Sequence, residues 1–228
     1  MQALSTFDST SRASSSSCRS LLAPLLLLLL AGCQDDFCEG GTCTCPEGGS
    51  CEFECEAPPC HVACEGDNGA CSGDCANGEC SCGPGSNCQF GCLSPPCHVA
   101  CEGAECEGVC ANGECSCAQG SECVFSCDTG PCHVLCDGDN DRCDGQCQNG
   151  ACTCGPDSTC SFECLDQNCT FSCAAGAACI AKCPTGVPGE QGCAFTACAA
   201  GEVTLCPDGE TQVCGTTCPP PDEEQDAE

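Results

Sequence analysis

Eight cysteines recur three times with one spacing, C-x3-C-x4-C-x-C-x5-C-x3-C-x4-C-x3-C, and this repeat constrains the fold more than any other feature. The three copies begin at Cys71, Cys106 and Cys143, a period of 35–37 residues. In all, 40 of the 228 residues are cysteine. Such a chain is built from one repeated unit, and neighbouring units together bury a core that no single unit could bury alone.

Large apolar side chains are too scarce for an ordinary hydrophobic core. From Cys33 onward, Leu, Val, Ile and Phe supply only 20 residues in total. Disulfides must replace much of the missing core, and this cysteine density is typical of exported disulfide scaffolds. We therefore expect a small, disulfide-rich, all-β or irregular fold made of tandem repeats of about 36 residues. The formal net charge of −30 excludes general nucleic-acid binding, which depends on Lys and Arg.

The shortest recurring element is C-x-Φ-x-C, where Φ is Phe or Val, as in Cys88–Cys92 with Phe90 at its centre. Because side chains alternate along a strand, both cysteines and the central apolar residue share one face. Asn-Gly pairs such as Asn77-Gly78 predict tight turns between strands. The phenylalanines predicted to form the interior are Phe53, Phe90, Phe125 and Phe162.

The disulfides must join different strands. Two cysteines four residues apart on one strand are separated by about 13 Å, beyond the reach of a disulfide. In one arrangement, stapled hairpins, Cys88 would pair with Cys101 and Cys92 with Cys97. The framework of the first complete repeat comprises Cys71, Cys75, Cys80, Cys82, Cys88, Cys92, Cys97 and Cys101.

The other arrangement is a disulfide-stapled, two-sided β-solenoid with about 18 residues per winding. In it Cys88 would stack on Cys106, and the same spacing of 18 relates Cys92 to Cys110 and Cys97 to Cys115. Repeat arrays bury a continuous core between neighbours, which favours the solenoid over the hairpins.

The N-terminal segment has the features of a targeting peptide. Arg12 and Arg19 precede an apolar run that is too short to span a bilayer. This run ends in Leu30-Ala31-Gly32-Cys33, which resembles the lipobox of bacterial lipoproteins. The resemblance implies cleavage before Cys33 and lipid attachment to it, and Gln34 is compatible with sorting to the outer membrane. Without residues 1–32 the charge is −31, because two basic and 33 acidic residues remain.

The repeats resemble cysteine-rich repeats of bacterial surface proteins, with runs such as Cys160–Cys164 and Cys169–Cys173. Their resemblance to EGF-like modules is weak, because the six-cysteine EGF spacing is not reproduced. Neither resemblance implies one activity. The predicted segments are a signal peptide (1–32), an anchor and linker (33–37), cysteine-rich units (38–70, 71–105, 106–142 and 143–178), a degenerate cysteine-rich cap (179–218) and a disordered acidic tail (219–228).

Metal binding is the alternative that the side chains leave open. His61, His98 and His133 recur in Pro-Cys-His-Val contexts, but alternation points them outward and two windings apart. They are therefore predicted to be exposed strand residues. A carboxylate run could suit Ca²⁺, although it lacks the Gly and the bidentate Glu of an EF-hand loop. The residues of this run are Asp137, Asp139, Asp141 and Asp144.

From these features we expect a non-enzymatic, exported protein of the bacterial cell envelope, held at the outer membrane by lipid on Cys33. Its role would be structural, adhesive or partner-binding, with an unidentified protein or matrix partner and no cofactor other than, at most, Ca²⁺. The alternative is a metal-binding surface protein with thiolate or carboxylate ligands. No Ser-His-Asp or reactive Cys-His set supports catalysis, since paired cysteines are not nucleophiles.

Overall fold

The computed structural model describes residues 38–39, 41–54, 58–66, 70–138, 142–166, 168–184 and 193–220. These residues form a β-solenoid of about seven turns, without any helix in the described part. Eighteen strands are hydrogen-bonded into one sheet that winds around two faces. The all-β, disulfide-rich repeat fold predicted from the sequence is confirmed, and of the two arrangements the solenoid is the correct one.

The strands are short, and most of them alternate buried and exposed residues. In chain order they are β1 Cys38–Glu39, β2 Thr42–Cys45, β3 Ser50–Phe53, β4 His61–Cys64, β5 Ala70–Cys82, β6 Asn87–Cys101, β7 Glu105–Ala111, β8 Glu114–Cys117, β9 Glu122–Thr129, β10 His133–Cys136, β11 Arg142–Cys147, β12 Ala151–Cys154, β13 Thr159–Cys164, β14 Thr170–Cys173, β15 Ala178–Lys182, β16 Ala194–Cys198, β17 Val203–Leu205 and β18 Thr211–Cys214.

Apart from β5 and β6, which each span both faces, most strands two apart in the chain pair in parallel, the signature of a solenoid with two faces. The front face contains β3, β7, β9, β11, β13, β15 and the first halves of β5 and β6. The back face contains β2, β4, β8, β10, β12, β14, β16 and the second halves of β5 and β6. We call one front segment with the back segment that follows it a rung. Neighbouring rungs lie about 4.8 Å apart, the spacing of paired strands.

Two kinds of rung alternate, and this alternation explains the 36-residue repeat. In one kind the centre of the front strand is Phe, and in the other it is Gly. Across the front face, Phe90 therefore lies between Gly73 and Gly108, and Phe125 lies between Gly108 and Gly145. On the back face, valine and cysteine alternate in the same way. Large and small residues thus share the narrow interior.

The front-strand centres occupied by glycine have little room for a side chain. A Cβ at Gly108 would lie 3.1 Å from Cγ1 of Val99, which enters the interior from the back of the preceding rung. The four predicted interior phenylalanines are all buried. Near the C-terminal end Phe171 replaces the valine, and its ring stacks on Phe162 with centroids 6.0 Å apart. The interior is therefore one column of phenylalanine and valine enclosed by sulfur atoms.

The observed disulfide pairing matches neither of the two predicted arrangements in full. Each cysteine from Cys64 to Cys179 is bonded to its neighbour along the chain, across one corner of the solenoid. The paired cysteines are five to seven residues apart in sequence, as in Cys75–Cys80 and Cys136–Cys143. Such short loops contribute about 2 kcal/mol each in the chain-entropy account, with strong non-additivity.

Several predicted pairings are thereby corrected. Cys88 does stack on Cys106, but it is bonded to Cys82. The hairpin bond from Cys88 to Cys101 is wrong, because Cys101 is bonded to Cys106. The bond from Cys92 to Cys97, predicted from the hairpin, is present.

The predicted alignment of Cys97 with Cys115 is also wrong. Val99 lies opposite Cys115, because Cys101 and Cys117, at the far corner, set the register. Cys97 instead lies opposite Ala111.

Asn-Gly pairs form one set of corners, and they do so within the solenoid instead of closing hairpins. Asn77 and Asn112 adopt left-handed backbone conformations, with φ of 49° at each. The glycine that follows packs against the preceding rung, so that a Cβ at Gly113 would overlap the carbonyl oxygen of Cys97. Only glycine fits this close approach. The predicted tight turns are present as corners.

The C-terminal end departs from the parallel pattern. Strand β18 pairs antiparallel with β15, and β17 pairs antiparallel with β18. Two interleaved disulfides, Cys198–Cys214 and Cys206–Cys218, hold this end. The side chain of Gln212 is buried and donates to the carbonyl oxygen of Cys193 at 3.3 Å. The solenoid therefore changes strand direction where the regular cysteine spacing ends.

Candidate functional site

The outer surface of the solenoid carries rows of side chains, because equivalent positions on successive rungs lie side by side. On the front face these rows are rich in carboxylates. Neutral amides separate some of them: Nδ2 of Asn87 donates to Glu105 at 3.0 Å, and Nε2 of Gln89 donates to Glu107 at the same distance. The amides reduce the repulsion that stacked carboxylates would create at strand spacing.

Basic side chains enter the front face only at its C-terminal half, within the described residues. Arg142 forms an ion pair with Asp144 and lies beside Glu122 in the preceding rung. The hydrogen bond and the charge of Asp144 raise the pKa of Arg142 above its usual value. The N-terminal half of the front face is consequently its more acidic part.

A shallow groove of about 490 Å³ lies in that acidic half. It runs over the front strands β3, β5, β6, β7 and β9, and backbone around Gly73, Gly91 and Gly108 contributes to its floor. Its side walls carry carboxylates separated by small and amide side chains. The acidic residues that line it are Glu52, Glu54, Asp74 and Glu107.

The back face carries a different row, in which histidine and glutamate alternate on five successive rungs. We call it the histidine row. All five of its side chains are exposed, and pairing of the back strands places them side by side. The row consists of His61, Glu79, His98, Glu114 and His133.

Each histidine of this row accepts a hydrogen bond from the following rung. Its Nδ1 accepts the backbone N–H of a residue 16 or 18 positions later in the sequence. The donor–acceptor distances lie between 3.1 and 3.3 Å. The three donor–acceptor pairs are Glu79 to His61, Glu114 to His98 and Ala151 to His133.

This hydrogen bond fixes the histidine tautomer. A neutral imidazole that accepts at Nδ1 carries its hydrogen on Nε2. Histidines that bind metals through Nε2 instead donate from Nδ1 to an acceptor, so this arrangement does not suit metal ligation through Nε2. The histidines are exposed strand residues, as predicted from the sequence, and they also connect successive rungs.

Sequence reasoning missed the two glutamates of the row. The histidines recur at two windings of separation, so their own spacing does not reveal the residues on the rungs between them. Glu79 follows His61 by 18 residues and Glu114 follows His98 by 16, so a comparison at one winding would have found them.

Among the described residues from Cys43 onward, no cysteine thiolate is available as a metal ligand. Every described cysteine from Cys43 to Cys218 is disulfide-bonded. Among the described residues, the one group of three converging ligand atoms comprises Cys164, Asp166 and Cys169, and its two cysteines are bonded to each other. The Asp166 carboxylate accepts the backbone N–H of Asn168 at 2.9 Å, which indicates a role in shaping this corner.

The predicted Ca²⁺ run is only partly described. Asp139 and Asp141 lie outside the described residues, while Asp137 is an exposed residue at the end of a back strand. Asp144 is paired with Arg142. The Ca²⁺ site therefore stays a prediction.

The predicted lipid attachment site, Cys33, also lies outside the described residues. In the part of the chain that the structure describes, no helix combines the length and the apolar character needed to cross a membrane.

Comparison with known proteins finds no counterpart for this chain. No protein-family model, no curated protein and no solved structure matches it significantly.

Proposed function

We propose that this protein is a non-enzymatic, lipid-anchored rod of the bacterial cell envelope with a structural or partner-binding role. The observation that carries the proposal is the unbroken series of corner disulfides from Cys64 to Cys179. Such a series holds the outer rows at a fixed spacing with few large apolar residues. A rigid and repetitive surface suits recognition or spacing better than it suits chemistry on a small substrate.

The chemistry of the described side chains supports a non-enzymatic role. The described cysteines from Cys43 onward are in disulfides and cannot act as thiolate nucleophiles. The imidazoles of the histidine row use Nδ1 to accept backbone N–H groups. The carboxylates of the front groove line a shallow surface feature and not an enclosed pocket.

Charge complementarity favours a basic partner. The chain as a whole carries a formal charge of −30, and the groove in the front face is lined by carboxylates. An acidic surface attracts cationic partners and suppresses association with anionic ones. We therefore propose a basic protein or matrix component as the partner class.

The anchor is the part of the proposal that can be tested most directly. In cells grown with a radiolabelled or alkyne-tagged fatty acid, the wild-type chain should be labelled and recovered in the outer-membrane fraction. Cys33→Ser should lose the label and leave the membrane fraction. Cys18→Ser is the matched control, since it removes a cysteine of the same N-terminal segment outside the lipobox. Lipid labelling of Cys33→Ser would contradict the assignment.

A second experiment separates the rod from the metal-binding alternative. Limited proteolysis of the purified chain is compared after treatment with EDTA and after treatment with a phosphine reductant. The rod should be unaffected by EDTA and should become protease-sensitive on reduction, because its disulfides replace a conventional core. A metal-stabilised protein should instead be sensitised by EDTA. That result would overturn the structural role of the disulfides.

A further inference from the structure

The histidine row on the back face has a property that goes beyond the proposed rod and does not depend on its anchor or partner. Three backbone N–H groups, one on each of three rungs, donate to imidazole nitrogens of the preceding rung. A hydrogen bond of this kind exists only while the accepting Nδ1 has a free lone pair. The contact between rungs along this row is therefore coupled to the protonation state of the histidines.

We propose that the histidine row is a proton-operated switch, in which acidification breaks the three imidazole–backbone hydrogen bonds and reverses the charge of the row. A protonated imidazole carries hydrogens on both nitrogens and accepts no hydrogen bond. Its Nδ1–H would then face the N–H of the next rung, so the ring must turn away. Histidine is the side chain that ordinarily changes charge between pH 5 and 8.

The neighbours of each ring define where it can turn. Glu79 lies between His61 and His98 on the row, and Glu114 lies between His98 and His133. The row ends in uncharged residues, with Thr42 beside His61.

Ala151 follows His133 at the other end of the row. Each histidine therefore has at least one carboxylate on an adjacent strand, about 4.8 Å away along the axis. A protonated imidazole can exchange its backbone partner for this carboxylate, forming a charge-assisted hydrogen bond.

Protonation also changes what the back face presents to a partner. With neutral imidazoles the row carries two carboxylates and a formal charge of −2, from Glu79 and Glu114. With three imidazolium groups its formal charge becomes +1. The sign of the charge that this row presents to a partner is therefore reversed. The switch thus changes the charge of the histidine row and its hydrogen bonds between rungs.

The experiment is an NMR titration of the full, oxidised, ¹⁵N-labelled chain between pH 8 and pH 5. At pH 8 we expect the Nε2–H tautomer at all three histidines. On acidification, the backbone amide protons of Glu79, Glu114 and Ala151 should shift upfield as they lose their acceptors. Each amide should follow the same midpoint as the imidazole to which it donates. The amides of Ser81 and Ser116, in the same strands, are internal controls that should move much less.

A matched variant makes the test specific. Gln at position 98 offers an oxygen acceptor that cannot be protonated in this range, so His98→Gln should abolish the shift of Glu114 alone. The amides of Glu79 and Ala151 should still titrate, which also shows that the variant is folded. An Nδ1–H tautomer at pH 8 would overturn the proposal. So would Glu79, Glu114 and Ala151 amides that stay fixed while the imidazoles titrate.

Discussion

Phe125 lies directly opposite Gly108 on the adjacent rung of the front face. The ring is 1% exposed and fills space that the glycine leaves empty. A Cβ on Gly108 would lie 3.4 Å from Cδ1 of this ring as well as 3.1 Å from Val99. The two residues act as a pair, because a large side chain on both rungs would not fit in the interior.

We predict that Phe125→Ala destabilises the solenoid by about 3–5 kcal/mol, the usual cost of removing a buried phenylalanine ring. Few other apolar side chains are available to fill the cavity. Val124→Ala is the matched control, because Val124 precedes Phe125 on the same strand but is 44% exposed. Its effect should stay within about 0.5 kcal/mol. Guanidinium unfolding with intact disulfides, followed by far-UV circular dichroism, measures both. Equal effects of the two substitutions would contradict the assignment of Phe125 to the core.

The sequence predicted the phenylalanines of the interior but not their glycine partners. Strand alternation places Phe90 inside from local spacing alone. The role of Gly108 depends on residues 17 and 18 positions away, and it becomes visible only when one rung is aligned with the next. A 36-residue repeat read as one unit conceals the fact that it contains two rungs of different kinds.

A second prediction concerns the disulfide connectivity. Cys115→Ala should leave a free thiol at Cys110, the cysteine to which Cys115 is bonded across the corner. Because Cys110 is fully buried, iodoacetamide should label it only after denaturation. Peptide mass spectrometry without reduction locates the label. A label at Cys97, the stacking partner predicted from the 18-residue spacing, would contradict corner pairing.

Distance alone could not have decided this connectivity from the sequence. Paired strands lie about 4.8 Å apart, so stacked cysteines such as Cys88 and Cys106 are within the range of a disulfide. Corner cysteines such as Cys82 and Cys88 have Cα atoms 6.1 Å apart. The direction of the side chains decides the matter. Cβ bonds of stacked residues on parallel strands point the same way, whereas those across a corner converge.

The third prediction concerns the Asn-Gly corners. Gly113→Ala should lower the yield of fully oxidised protein and reduce stability by about 1–3 kcal/mol, because the new Cβ would overlap the backbone carbonyl of Cys97. Gly108→Ala is the comparison, since its Cβ would meet side-chain atoms of Val99, which can move. It should cost clearly less. Oxidative refolding followed by reverse-phase chromatography gives the yields, and denaturant unfolding gives the stabilities. A larger loss for Gly108→Ala would show that the corner is not tightly packed.

The last prediction concerns the C-terminal end, where Asp208 holds the loop between β17 and β18. Its carboxylate accepts hydrogen bonds from the Thr211 hydroxyl at 2.6 Å, the Thr211 backbone N–H at 3.0 Å and the Glu210 backbone N–H at 3.1 Å. These hydrogen bonds lower the pKa of Asp208, and the one from the Thr211 hydroxyl has the largest effect. A carboxyl group whose pKa is lowered in the folded state stabilises that state at pH values above the pKa that the same group has in the unfolded chain. The contribution is lost as the pH falls through the lowered, folded-state pKa of Asp208.

Asp208→Asn should therefore make this end open more readily at pH 7 and make little difference below the folded-state pKa of Asp208, where the wild-type carboxyl is itself protonated. Hydrogen exchange of the amides of Glu210 and Thr211 reports the opening, because both donate to the carboxylate. Glu202→Gln is the control, since it neutralises an exposed carboxylate just before β17. It should leave these amides unchanged at both pH values. An Asp208→Asn effect of the same size at both pH values would show that geometry, and not the charge of the carboxylate, holds the loop.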